Sequence, residues 1–224
     1  MVDELVVCRV KVPAGKAAGE IPAALDSAGV PFRQIGCVNW PDGFPYRPDV
    51  FFRTAHNGEE LFLEFRVSEQ SARAVTDTDQ GPVWKDSCVE FFAAIPGGEG
   101  NPAGEAYYNF ECNCIGRLLL HHGIKGDRKP APEETVRSVR RWSSLGDRPF
   151  AEKGPLSWSL VEIIPAGAFF KDRPEGLGGM RMRANFYKCG DDLAVPHFLS
   201  WAPVRTAKPD FHVPAFFGRL VFEP

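Results

Sequence analysis

No stretch of this chain approaches the roughly 20 consecutive apolar residues that a membrane span requires. The opening MVDELVVCRVKV carries acids where a secretory signal needs bases, and Arg9 and Lys11 interrupt any apolar run. As written, the chain is expected in the cytoplasm. A signal removed upstream would leave the same sequence and a secreted protein. Charge of one sign is also missing: the formal net charge is -3, with both signs mixed along the chain. That argues against nucleic acid or an anionic membrane as the main partner. None of the cysteines forms a C-x-x-C pair, and no spacing resembles a zinc site. Cys8, Cys37, Cys88, Cys112, Cys114 and Cys189 are therefore read as free thiols, as a reducing compartment allows. Cys112 and Cys114 share a strand face, awkward for a mutual disulfide, and read as packing residues. There is no internal repeat, no low-complexity tract and little helical periodicity.

What the chain does have points to strands. Its 224 residues suit one domain, 1–224, able to bury roughly 70% of its unfolded surface without staples. The 18 Phe, 22 Gly and 20 Pro supply flat side chains and turns in numbers that suit an all-β fold. The alternation predicts strands over 5–12, 49–54, 61–67, 83–95, 106–114, 117–121, 135–142, 157–164, 181–189, 198–202 and 218–222. His56-Asn57-Gly58 marks a hairpin turn, 21–29 a short helix or turn, and 165–170 one helical turn. The charged, Pro-rich stretch from Gly123 to Glu134 reads as a surface loop. About ten or eleven strands without helical crossovers imply an antiparallel β-sandwich or jelly roll.

Three of these strands divide their residues by face, since successive side chains point to opposite sides. In VWKDSCVEFFAAI, Val83, Val89, Phe91, Ala93 and Ile95 face one way, and Trp84, Asp86, Glu90 and Phe92 the other. In YYNFECNC, Tyr108, Phe110, Cys112 and Cys114 alternate with Tyr107, Asn109, Glu111 and Asn113. In RMRANFYKC, Met182, Ala184 and Phe186 alternate with Arg181, Arg183, Asn185 and Tyr187. Each strand thus offers an apolar face and a face of carboxylates, amides, guanidinium and aromatics. A solvated sheet face has that composition too. It is also what a sugar needs: hydroxyls donate and accept in pairs, and the C–H faces lie flat on aromatic rings.

The runs VWKDSCVEFF, YYNFECNCIG, RANFYKCGD and HFLSWAPV followed by PDFHVPAFFG, in this order and spacing, resemble the family 9-like carbohydrate-binding modules. The resemblance covers about Val38 to Phe222. It implies noncatalytic recognition of a mono- or oligosaccharide, with a chain terminus held between two tryptophans. Trp84 and Trp201 match those positions, and the polar partners fall among Asp86, Glu90, Asn109, Glu111, Asn113, Arg183, Asn185 and Tyr187. It also implies a possible structural calcium, for which Asp77, Asp79, Asp191 and Asp192 offer loop oxygens. Two alternatives stay open. One is a glycoside hydrolase or lyase acting through Asp86, Glu90 and Glu111, whose carboxylates would flank the scissile bond. The other is a partner-binding module whose tryptophans are core or interface anchors. His121 and His122 point to opposite faces, which argues against a joint metal site. His197 and His212 sit in loops near Trp201, either bracing them or lining the pocket.

Overall fold

The computed structural model describes residues 4–99, 101 and 103–224. Met1–Asp3, the start of the leader reading, lie outside them. In chain order the strands are β1 (Glu4–Arg9), β2 (Arg33–Gln34), β3 (Cys37–Val38), β4 (Asp49–His56), β5 (Glu60–Glu69), β6 (Ala72–Ala74), β7 (Cys88–Ala94) and β8 (Tyr107–Asn113). They continue with β9 (Leu118–Ile124), β10 (Asp127–Pro130), β11 (Arg140–Ser143), β12 (Phe150–Lys153), β13 (Leu156–Pro165), β14 (Arg181–Cys189), β15 (Phe198–Ser200) and β16 (Gly218–Phe222). Two short helices are α1 (Ile21–Ser27) and α2 (Glu133–Ser138). No helix among the described residues is long and apolar enough to cross a membrane.

Fourteen of the strands run in two curled sheets that share β1, and β6 and β12 pair antiparallel in a small sheet of their own. The front sheet is ordered β10-β9-β8-β7-β14-β16, with β15 and β3 attached beside β14. The back sheet is ordered β4-β5-β13-β11, with β2 on β4. Glu4–Val7 pairs parallel with β16, whereas Cys8 and Arg9 pair parallel with β4, so one strand crosses from one sheet to the other. Between the sheets lies the main core. Phe91, Phe110 and Phe186 of the front sheet meet Phe52, Leu63 and Phe65 of the back sheet. Phe186 stacks on Phe52 with ring centroids 3.9 Å apart. These are the apolar residues that alternation assigns to one face, including Leu61, Leu63, Phe65 and Val67 on β5.

Each outer face is also covered. On the back sheet, Ile21 and Leu25 of α1 pack on Phe62, Val161 and Ile163. Arg53 joins helix to sheet, donating to Glu64 Oε2 (2.6 Å), Asp26 Oδ1 (2.7 Å) and Pro22 O (2.9 Å). On the front sheet, Phe92, Tyr107 and Tyr187 pack under Phe211 and Phe217 from the segment returning after β15.

The chain departs from the sequence expectation at four places. There are 16 strands, not ten or eleven, among the described residues; the additions include β2, β3, β6, β10 and β12, too short for their alternation to register. The run from Val83 opens as a 3-10 turn over Val83–Lys85, and the strand starts at Cys88. Val83 consequently packs in the outer cluster rather than the main core. Thr135 to Trp142 divides into α2 and β11, because Pro132 precedes a first turn carrying Glu133 and Glu134, with Val136 buried. The stretch from Gly123 to Glu134 folds back as β10 on β9. A Cβ on Gly123 would lie 2.4 Å from Asp127 O, so that hairpin closes only on glycine.

Candidate binding cleft

The cleft opens on the outer face of β7, β8, β9 and β14. Glu90 and Glu111 form its floor, directly opposed in the β7–β8 register. Residues opposed in this way have Cβ atoms about 4.5–5.5 Å apart. The segment after β15 covers part of the face and walls the cleft. Several hydrogen bonds hold it there. Asn185 Nδ2 donates to Ala202 O, and Asn185 Oδ1 accepts from Ala202 N, both at 2.9 Å. Tyr187 OH donates to Phe211 O at 3.2 Å, and Trp40 Nε1 to Thr206 O at 2.8 Å. Arg183 Nη2 donates to Pro214 O. The space left is about 390 Å³, at the lower end of the roughly 300–1,000 Å³ of small-molecule sites.

Aromatic rings line one part of the wall: Trp84, Phe198, Phe211 and His212. Phe211 is held flat on Tyr187 at 4.1 Å and 14°, and His212 stacks on Phe92 at 5.0 Å and 27°. Polar groups line the rest: His121 from β9, Arg128 from β10, Asp191 and Asp210. Asp210 is braced by Lys125 in the β9–β10 turn, so the hairpin and the return segment meet across the opening.

The floor is electrostatically unusual. Glu90 and Glu111 are only 3% and 4% exposed. Burial pushes the Glu90 carboxyl well above the usual carboxylate range, and the neighbouring Glu111 pushes it further. Burial raises Glu111 as well, against the Asn109 amide, which donates to Glu111 Oε1 at 2.8 Å, and against Arg128, 3.9 Å from the same oxygen. A carboxylate pair in low dielectric is most stable sharing a proton, so the floor can both donate and accept. Burial and the adjacent Asp192 lift Asp191 to about 6. Burial and then Arg128 lower His212 to about 3, leaving it neutral, with Nδ1 hydrogen-bonded to Tyr107 OH at 3.0 Å. Glu90 Oε2 and Asn109 Oδ1 are buried without a hydrogen-bond partner. Buried polar atoms are nearly always paired, so Glu90 Oε2, at the cleft floor, is the one a bound polar group could reach, whereas Asn109 Oδ1 lies a layer behind.

The pattern of the family described as carbohydrate-binding family 9 matches residues 19–222. The chain belongs to carbohydrate-binding family 9. A comparison with curated proteins gives no match. Among solved structures, a protein from Bacteroides uniformis described as a candidate carbohydrate-binding protein is 46% identical, with 100% of each chain covered and a TM-score of 0.94. Two structures of a family 9 module from Caldicellulosiruptor kristjanssonii, one with glucose and one with cellotriose, share 9% identity and a TM-score of 0.64. They cover 99% of this chain and 96% and 94% of their own. At that identity the likeness shows the fold.

In this family 9 chain the structure brings together Trp84, Glu90 and Glu111 of the residues expected from sequence. Asn109 and Tyr187 stand one layer behind, holding Glu111 and Phe211. Asp86 is elsewhere: fully buried, it accepts from Val75 N, Thr76 N and Asn113 Nδ2 and pairs with Arg73, latching the chain before β7. Asn113 closes the β8–β9 turn, its Oδ1 accepting from Arg117 N at 2.9 Å. Arg183 and Asn185 fasten the return segment. Trp201 does not line the cleft. It packs on Phe52 (6.1 Å) and Phe186 (5.8 Å) against the main core. Alternation explains this: Phe198 and Ser200 take the outer side, Leu199 and Trp201 the inner. The polar neighbour Ser200 therefore signals burial of Trp201, and Phe198 lines the cleft instead.

Of the acids considered for calcium, Asp79 holds Arg141 through both oxygens (2.7 and 3.0 Å), and Asp192 pairs with Arg73 and Lys85. Asp77 is exposed, and Asp191 faces the cleft. His197 is a brace, accepting or sharing a proton with buried Lys188 Nζ at 2.8 Å. Phe211, Arg128 and Asp210 escape alternation because hairpin closure and the return segment place them; Phe198, on β15, follows from parity.

Proposed function

We propose that the cleft over Glu90 and Glu111 binds a saccharide without cleaving it. The observation that carries this is the conjunction, in one cavity, of an aromatic wall and a floor of buried oxygens with unmet hydrogen-bonding capacity. One ring laid against Trp84, Phe198 or Phe211 would bury its C–H face. Its hydroxyls would reach Glu90, Glu111 and Arg128, where a shared proton lets the floor serve hydroxyls as donor and acceptor. The small volume and the closure by the return segment favour a chain end over a chain interior. The glucose and cellotriose complexes of the Caldicellulosiruptor module support starting with gluco-configured sugars.

The test is titration calorimetry with glucose, cellobiose, cellotriose and longer glucans, alongside a reducing-sugar assay on the same mixtures. Terminus recognition predicts comparable affinity per chain end across the lengths. Affinity that grows with each added residue would place recognition along the chain instead. Product release that disappears in Glu111→Gln would make the protein a hydrolase, since the opposed carboxyls could then be acting as an acid–nucleophile pair.

A further inference from the structure

Cys88 and Cys189 lie 101 residues apart in sequence, which hides any motif, yet the β7–β14 register sets them directly opposite one another. Both fall on the outer face of the front sheet, with Glu90 two residues along β7 on the same side. One ligand atom from each of Cys88, Glu90 and Cys189 lies within 4.8 Å of the other two. Tetrahedral zinc, with Zn–S near 2.3 Å and Zn–O near 2.0–2.2 Å, holds its ligand atoms about 3.4–3.8 Å apart. Small rotamer changes therefore suffice to close the three onto one ion. Cys189 Sγ already lies 3.1 Å from Glu90 Oε1, while Glu90 Oε2 is buried with no hydrogen-bond partner.

We propose that Cys88, Cys189 and Glu90 form a three-ligand site for a zinc-like divalent cation at the cleft floor, with a fourth position open to the cleft. Two sulfurs and one oxygen select a borderline-soft ion over calcium or magnesium, which need six or more oxygens. Cys189 and Glu90 line the cleft and give the ion a route in; Cys88 sits beneath them, packed among Val83 and Phe92. Three protein ligands with one vacant position is the arrangement that leaves a metal free to take water or a ligand hydroxyl. The site shares Glu90 with the saccharide reading, and the two are tested separately because the metal is assayed with no sugar present.

The experiment uses the full chain, reduced and stripped with chelator, titrated with Co²⁺ as a spectroscopic probe and then with Zn²⁺. One equivalent of Co²⁺ should produce thiolate-to-cobalt charge-transfer absorption and the intense visible bands of tetrahedral cobalt, both displaced by one equivalent of Zn²⁺. Added Zn²⁺ should also raise the melting temperature, as any ligand of the native state does. Cys189→Ala and Cys88→Ala should abolish the charge-transfer band, and Cys8→Ala, on another strand, should retain it. If Cys88→Ala fails to fold, Glu90→Gln takes its place and should weaken Zn²⁺ at least tenfold. The proposal is overturned if no thiolate band appears at ten equivalents of Co²⁺, or if the band survives both Cys189→Ala and Glu90→Gln. A Cys88–Cys189 disulfide that resists reduction in the folded protein would overturn it equally.

Discussion

The two faces of the front sheet come from the same strands and are both buried, yet they are finished differently. On the inner face, Phe110, Phe91, Phe186 and Phe52 stack one on the next in a row. On the outer face, Phe92 and Tyr187 are just as deeply buried, but beside them Glu90 and Asn109 keep polar atoms without partners. Burial alone therefore does not separate core from site. What separates them is whether the buried groups are satisfied by the protein itself. An apolar face completes itself by packing; at the cleft floor the protein leaves Glu90 Oε2 unpaired, open to a bond from water or from a bound polar group.

The largest effect should come from breaking the completed face. Phe186 is fully buried and stacks on Phe52 at 3.9 Å and on Phe91 at 5.1 Å. Phe186→Ala should cost about 3–5 kcal/mol of unfolding free energy, from lost transfer plus the cavity left behind. Urea denaturation reads it directly; a loss below about 1 kcal/mol would mean that the rings are not closely interlocked.

The two tryptophans sharpen the comparison, because the family resemblance implies one role for both and the structure gives them two. Trp201→Ala should destabilise the fold by about 3 kcal/mol, since its ring packs on Phe52 and Phe186, and should leave saccharide affinity in the folded protein unchanged. Trp84→Ala should do the reverse. Losing an aromatic platform costs on the order of 1–3 kcal/mol, or roughly tenfold to a hundredfold in affinity, with the melting temperature within a few degrees of wild type. Paired calorimetry and thermal melts on both variants decide it. Unchanged binding in Trp84→Ala would move the platform to Phe198 and Phe211.

How much of this was legible follows from what alternation can encode. Period two assigned Phe91, Phe110, Phe186 and Leu63 to the core and Glu90 and Glu111 to the opposite face, because each sits inside a strand long enough for parity to hold. It failed just ahead of β7, at Val83 and Asp86, where the chain turns through Val83–Lys85 before the strand begins. At Trp201 the resemblance implies a place in the cleft, whereas parity with Ser200 on the outer side sets the ring inward against the core. Arg128, Phe211 and His212 reach the cleft through tertiary closure, which no local period carries. The cysteine pair shows the same limit: only the β7–β14 register brings together residues so far apart in sequence.

Buried polar atoms without partners also occur between the sheets, and Glu162 holds two of them. Glu162 shares the inner side of β13 with Leu160 and Ile164, is fully buried, and has both carboxylate oxygens without hydrogen-bond partners. Burial pushes it up to about 7, against a lowering pull from Arg141. Its folded pKa thus exceeds the unfolded value near 4.3, so the native state holds the proton longer and stability falls as pH rises between about 4.3 and 7. Glu162→Gln should match wild type near pH 4 and exceed it by on the order of 3–4 kcal/mol at pH 8. Equal stability at both pH values would show that the carboxylate is satisfied in solution, for instance by water.

The smallest effect should come from loosening the cleft wall without removing any part of it. Tyr187 carries Phe211 in two ways, by a ring stack at 4.1 Å and by a hydroxyl that donates to Phe211 O at 3.2 Å. Tyr187→Phe keeps the stack and removes the donor, leaving a carbonyl to find water at the cleft edge. A net hydrogen bond of this kind contributes about 0.5–1.5 kcal/mol. Stability should fall by about 1 kcal/mol or less, and saccharide affinity by a few-fold, because Phe211 stays flat but its backbone is held less firmly. The dissociation rate should rise while the association rate holds, as expected when a wall is loosened rather than the ligand's approach altered. An affinity loss as large as that of Trp84→Ala would mean that the hydroxyl itself belongs to the binding surface, and that the polar floor extends from β7 and β8 onto β14.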